Sequence, residues 1–145
     1  MAANLRKSTQ IKKGIEMADP KEQVELNRIA KQIIGCAYAV GKLLKYGYLE
    51  KVYEKALVYE IQKSGLKVRQ QYGISVGYKD IVVGEYIADL LVEDCVLVEL
   101  KTAKTMDGAH LAQCLNYLTA TDLRICLLIN FGEKGIEFKR LVNKF

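Results

Sequence analysis

The chain has one histidine and one proline in 145 residues, and no two of its four cysteines lie close together in sequence. Each scarcity removes a class of chemistry. Cys36, Cys95, Cys114 and Cys126 stand alone among apolar residues, with no Cys-x-x-Cys pair. Buried free thiols are therefore expected, and an iron–sulfur cluster is not. With His110 as the sole histidine, no Ser/His/Asp or Cys/His set can be assembled, and a phosphate-cradling glycine loop is missing too. No apolar run approaches the ~20 residues that a membrane helix needs, so no membrane association is expected. The first ten residues, MAANLRKSTQ, contain no apolar signal segment, which points to the cytoplasm. There are no internal repeats or low-complexity blocks.

Half of the residues are hydrophobic, enough for a real core in one domain of this length. The net charge of +5 is compatible with a polyanionic partner, but it does not by itself argue for nucleic acid. Residues 1–19 form a polar, basic leader containing Arg6-Lys7 and Lys12-Lys13, expected to be disordered, and residues 20–145 form the folded domain.

Asp19-Pro20 signals a helix start, with Asp as N-cap and Pro at the first helical position. Leu26, Ile29, Ala30, Ile33, Ile34, Ala37 and Val40 follow at helical spacing, giving a first helix to about Leu44. Gly47 marks a break. A second helix is expected over 49–64, terminated by Gly65. Strands are expected over 68–78, 81–92 and 95–102, then a helix over 106–120. The continuous apolar run at 124–131 has the pattern of a strand buried on both sides, and 136–141 alternates as an edge strand. The order α-α-β-β-β-α-β-β makes an α/β fold. The helix between the third and fourth strands fits a crossover, so those two strands should run parallel in a mixed sheet flanked by helices.

Within this apolar frame, charges stand at Asp89, Glu99 and Lys101, spaced Asp-x9-Glu-x-Lys. Burying such ions costs several kcal/mol each unless they are paired or bind something. Side chains alternate along a strand, so Glu99 and Lys101 share a face. If 86–92 and 96–100 pair as a hairpin around Glu93-Asp94-Cys95, Asp89 lies opposite Glu99. Two carboxylates meeting there repel unless a cation lies between them, and hard divalent cations such as Mg²⁺ take oxygen ligands.

Asp-x(n)-Glu-x-Lys across a hairpin resembles the signature of the PD-(D/E)XK nuclease superfamily. Gln113 and Tyr117, a Gln-x-x-x-Tyr pair on the helix after the strand, are similar to the extra motif of its RecB-like branch. Gly47, Glu50 and Tyr53 read Gly-x-x-Glu-x-x-Tyr, the name-giving motif of the GxxExxY proteins. The resemblance runs from about Asn27 to Val142, and it implies a restriction-endonuclease-like core. The chain departs from the family at three places. It has Lys45-Tyr46-Gly47 where the family often has Gly-Pro-Gly, Gly41-Lys42 where His-Arg is common, and Ile87 where an arginine often precedes Ala-Asp. None of these removes an expected metal ligand.

The resemblance implies that Asp89, Glu99 and the Leu100 carbonyl hold Mg²⁺ or Mn²⁺, and that Lys101 orients water or offsets phosphate charge. A plain Glu99–Lys101 ion pair is the bland alternative. Glu50 opens the second helix, where an acid also stabilises the helix dipole by under ~1 kcal/mol, and the resemblance makes it a further metal ligand. Gln113 and Tyr117 lie at i and i+4, so they can reach one target. Tyr53 is either a substrate contact or an aromatic that packs its helix onto the sheet. His110, one turn before Gln113, either borders the same pocket or lies on the surface. The expected function is metal-dependent hydrolysis of nucleic acid phosphodiesters, with DNA ahead of RNA. Any specificity would be for structure or ends, or would come from a second copy or a protein partner. The alternatives are a nuclease-fold module that binds nucleic acid or a partner with little turnover, and a metal enzyme acting on another phosphate ester.

Overall fold

The computed structural model describes residues 19–143. The basic leader expected over 1–19 lies outside them, apart from Asp19. Helix α1 (Pro20–Leu44) begins as its sequence indicates: the Asp19 carboxylate accepts hydrogen bonds from the backbone N–H of Lys21 (2.7 Å) and Glu22, and Pro20 occupies the first turn. Its apolar stripe, including Leu26, Ile29, Ile33, Ala37 and Val40, is buried. The helix ends at Leu44, as its apolar spacing implies. Lys45 turns the chain at a positive φ of 61° and ψ −149°, with its N–H bonded to the Gly41 carbonyl.

Helix α2 (Glu50–Lys63) ends in a Schellman motif. The N–H of Gly65, at φ 95°, bonds the Gln62 carbonyl, and the N–H of buried Leu66 bonds the Ile61 carbonyl. Strands β1 (Val68–Tyr78), β2 (Ile81–Val92), β3 (Val96–Lys101), β4 (Ile125–Gly132) and β5 (Gly135–Val142) form one sheet in the order β1-β2-β3-β4-β5. Among these strands only β3 and β4 run parallel, joined by the crossover helix α3 (Gly108–Ala120), as the element order implies.

Strand alternation divides the core into two layers. Leu90, Val92, Val98, Leu100, Leu127, Ile129 and Phe131 pack against α1 and α2. Leu91, Leu97, Cys126 and Leu128 pack against Cys114, Tyr117 and Leu118 of α3. Each fully buried aliphatic side chain contributes roughly 1.5–3 kcal/mol. Strand β4 is buried along its whole length, which explains its unbroken apolar run. Cys36, Cys114 and Cys126 are buried free thiols, whereas Cys95, in the β2–β3 turn, is only half-buried.

Strands β1 and β2 pair along nearly their full lengths, but β2 pairs with β3 only from Leu90 to Val92, against Val98 to Val96. Beyond Leu90 the two strands part, and the acids stand at this fork. Asn130, fully buried in β4, fixes the chain on the other side of it. Its side-chain amide accepts from Ala103 N and donates to Ala103 O, both at 2.8 Å. That pair of bonds anchors the segment that leaves β3 after Lys101.

Candidate active site

At the fork, side chains replace the backbone ladder. The Asp89 N–H donates to Glu99 Oε1 (3.2 Å), and the Leu100 N–H donates to Asp89 Oδ2 (2.7 Å). Lys101 Nζ lies 3.6 Å from Glu99 Oε2. The ion pair thus joins Lys101 to Glu99. Leu100 contributes its N–H to Asp89.

The electrostatics follow from this crowding. Glu99 is 4% exposed, and its carboxyl is pushed up to about 7, first by burial and then by the Asp89 charge. The Asp89 N–H bond and Lys101 offset only part of that. Asp89 is also raised, mainly by burial and secondarily by the Glu54 charge, against the Leu100 N–H bond. Glu50, half-buried at the start of α2, is raised by burial and by the Asp89 charge, with Lys101 acting the other way. These cross-influences bring Asp89, Glu99, Lys101 and Glu50 into one electrostatic cluster.

Tyr117 reaches the cluster from α3. Its ring is buried, its hydroxyl donates to the Ile87 carbonyl (2.9 Å), and its acidity is suppressed by burial and by the nearby Glu99 carboxylate. Gln113, half-buried one turn earlier, makes no hydrogen bond to the acids. His110 serves its own helix: Asp107 Oδ1 accepts from the N–H of Ala109 and His110, and His110 Nδ1 accepts from Asp107 N (3.4 Å), a capping box. Tyr53 packs inside. It is fully buried, its ring stacks on Phe131 at 4.6 Å, and its hydroxyl donates to the Lys45 carbonyl (2.6 Å). The geometry gives Tyr53 a packing role and His110 a capping role.

Three residues at the cluster had no part in the sequence reading. Glu54, 2% exposed, lies one turn after Glu50 and is held by Lys51 Nζ (3.2 Å), Gln70 Nε2 (3.0 Å) and Gln71 Nε2 (3.1 Å). Gln70 and Gln71 are neighbours on β1, and neighbours on a regular strand point to opposite faces. Both reach Glu54 because Gln71 adopts φ 53° and drops out of the ladder with β2. Gln71 also acts on Asp89, favouring its charged form, and so stands between the helix acid and the strand acid. A non-glycine residue in this conformation costs roughly 1 kcal/mol or more.

No three His, Cys, Asp or Glu side chains among the described residues form a ready-made metal cage. Asp89 and Glu99 present two oxygen donors, both carboxyls are raised first by burial, and a cation between them would offset the charge that Asp89 sets against Glu99. This donor chemistry fits a hard divalent ion that completes its shell with water and backbone oxygen.

A mixed sheet with α1 and α2 on one face and α3 on the other, and two acids and a lysine where its second and third strands part, defines a nuclease-type fold. The chain belongs to the PD-(D/E)XK nuclease superfamily, whose family model matches residues 27–141. Among solved structures, it is similar to that of SSO0001 at 13% identity and a TM-score of 0.52, over 98% of this chain and 76% of that one. A second similar structure is an alkaline exonuclease (LHK-Exo) from Laribacter hongkongensis, at 16% identity and a TM-score of 0.49, over 98% of this chain and 80% of that one. No curated protein matches the sequence. Among the described residues, no helix is long and apolar enough to cross a membrane.

Proposed function

We propose that the protein is a divalent-metal-dependent nuclease that hydrolyses phosphodiester bonds, with DNA as the preferred substrate and Mg²⁺ or Mn²⁺ as cofactor. The observation that carries this reading is the meeting of Asp89 and Glu99 at the open fork, with Lys101 against Glu99. Nucleases of this superfamily generally use divalent metals. Asp89 and Glu99 would hold the ion, with the Leu100 carbonyl and Glu50 as further ligands. When bound, such an ion supplies Lewis-acid stabilisation of the charge that develops on the phosphate. Lys101 orients the attacking water and offsets negative charge on the phosphate oxygens. Tyr117 closes the α3 side of the site and holds β2 through Ile87. Gln113, one turn away on the same helix face, reaches the substrate backbone when it binds. Gly47, Glu50 and Tyr53, with Gln113 and Tyr117, support placement in the GxxExxY group of the RecB-like branch. Residues 20–145 act as one domain.

The test combines cleavage with melting. Purified protein is incubated with a mixed pool of single- and double-stranded DNA and RNA, with Mn²⁺, with Mg²⁺ or with EDTA. Cleavage should require metal and vanish in Asp89→Asn. Mn²⁺ should raise the melting temperature of the wild type, with a weaker response in Asp89→Asn. Binding of nucleic acid with no metal-dependent cleavage would favour the non-catalytic module instead.

A further inference from the structure

A second concave feature takes no part in the acid cluster. A cavity of about 450 Å³ opens between the last two turns of α1 and the β4–β5 turn. Tyr38 and Lys42 lie at i and i+4 on one side of α1, and Lys45 and Tyr46, in the turn that follows the helix, complete that wall. Phe131 and Ile136 line the opposite side. Gly41 lets the two walls meet, because a Cβ there would lie 2.7 Å from Ile136 Cδ1. Tyr38 and Tyr46 are about half exposed, at 50% and 46%. Two lysines face one acid, Glu133, so the lining is net positive.

Lys45 is the informative residue. Its φ of 61° and ψ of −149° border a region that is essentially open only to glycine. The Tyr53 hydroxyl on its carbonyl and its own N–H on Gly41 hold it there. Lys45 thus sets an ammonium at the cavity wall in a backbone conformation that glycine would adopt without strain. The cavity wall and the acid cluster are built on the same elements. Tyr53 shares α2 with Glu50, and its ring stacks on Phe131, which follows Asn130, the register partner of Lys101.

We propose that this cavity binds one nucleotide of a single-stranded nucleic acid, with its base against Tyr38 and Tyr46 and its phosphates on Lys42 and Lys45. The aromatic walls suit an unstacked base, which every sequence can offer, and the lysines suit the backbone. This rests on the nuclease reading for its choice of ligand, and it makes the cavity the grip that a small domain needs beside its acid cluster.

The experiment measures binding of a fluorescein-labelled oligothymidylate by anisotropy in EDTA, so that cleavage plays no part, with an equal-length duplex as comparator. Tyr46→Ala should weaken single-strand binding about tenfold and leave duplex binding unchanged. Lys42→Gln and Lys45→Gly should each flatten the salt dependence by about 0.7 in log–log slope. Lys45→Gly should also melt at the same temperature as the wild type or higher, because glycine relieves the strained backbone. Wild-type affinity and salt slope in all three variants would overturn the proposal, as would absence of strand binding by the wild type. A lowered melting temperature in Lys45→Gly would overturn the strain argument and make Lys45 a structural cap, leaving Tyr46→Ala and Lys42→Gln, both on exposed side chains, to decide the subsite. Strand binding through these residues without metal-dependent cleavage would sink the nuclease reading and leave the subsite standing. Cleavage with unaltered binding in the variants would do the reverse.

Discussion

Two glutamates are buried among the described residues, and they are provided for very differently. Glu54 has Lys51, Gln70 and Gln71 bonded to its two oxygens. Glu99 has one backbone N–H at 3.2 Å, a lysine at 3.6 Å and the Tyr117 hydroxyl beside it, and it faces Asp89. A buried acid with a full set of donors is a structural element. A buried acid pressed against another acid is held in tension by the fold around it, and a cation relieves that tension. The contrast separates scaffold from chemistry without reference to motif.

The largest test removes one half of the tension. Asp89→Asn and Glu99→Gln should each lower cleavage by ~100-fold or more, since each removes a carboxylate that would hold the metal ion. Their metal-free melting temperatures should nonetheless equal or exceed that of the wild type. A strongly destabilised metal-free Asp89→Asn would mean that Asp89 is a structural partner like Glu54.

The next test is titration of the metal-free protein. The folded-state pKa of Glu99, about 7, lies above its ordinary value of 4.5. Between those two values the folded chain keeps a proton that the unfolded chain has released, so stability should fall as pH rises through this window. The fall is on the order of 3 kcal/mol for Glu99. Asp89 and Glu50 are shifted in the same direction and add to it. Denaturant melts across the window should show the slope, and Glu99→Gln should flatten it.

Smaller effects sharpen the scaffold side. Glu54→Ala should cost about 1–3 kcal/mol of stability through lost hydrogen bonds and an unfilled site. It should leave the Mn²⁺-induced rise in melting temperature largely intact. Tyr117→Phe removes the bond to the Ile87 carbonyl and should cost about 1 kcal/mol, measured by urea unfolding.

Much of this was legible in the chain. Asp19-Pro20, Gly65 and the apolar run of β4 placed elements within a residue or two of where they lie, because each rests on local chemistry. The shared parity of Asp89, Glu99 and Lys101 was likewise a property of strands in general. Glu54 was not legible, because Tyr53-Glu54-Lys55 reads like any solvated helix face with an acid beside a base. Its one signal was the polar pair Gln70-Gln71 in a strand, and that signal depends on a left-handed φ at Gln71 that a glutamine does not advertise. Lys45 hid in the same way, since Gly47 two residues later is the expected breaker. His110 was hidden by a cap motif that usually ends in Glu or Gln.

The fork between β2 and β3 also has a mechanical meaning. β2 is tied to β1 from Val92 out to Ile81, but to β3 only from Leu90 to Val92. The outer part of β1 and β2 is therefore a two-stranded lever whose fulcrum lies beside Asp89. Between its tip, at Tyr78 and Ile81, and Asp89, the lever is braced by Tyr117, which bonds the Ile87 carbonyl and meets the Tyr86 ring, so the brace stands two residues from the first acid.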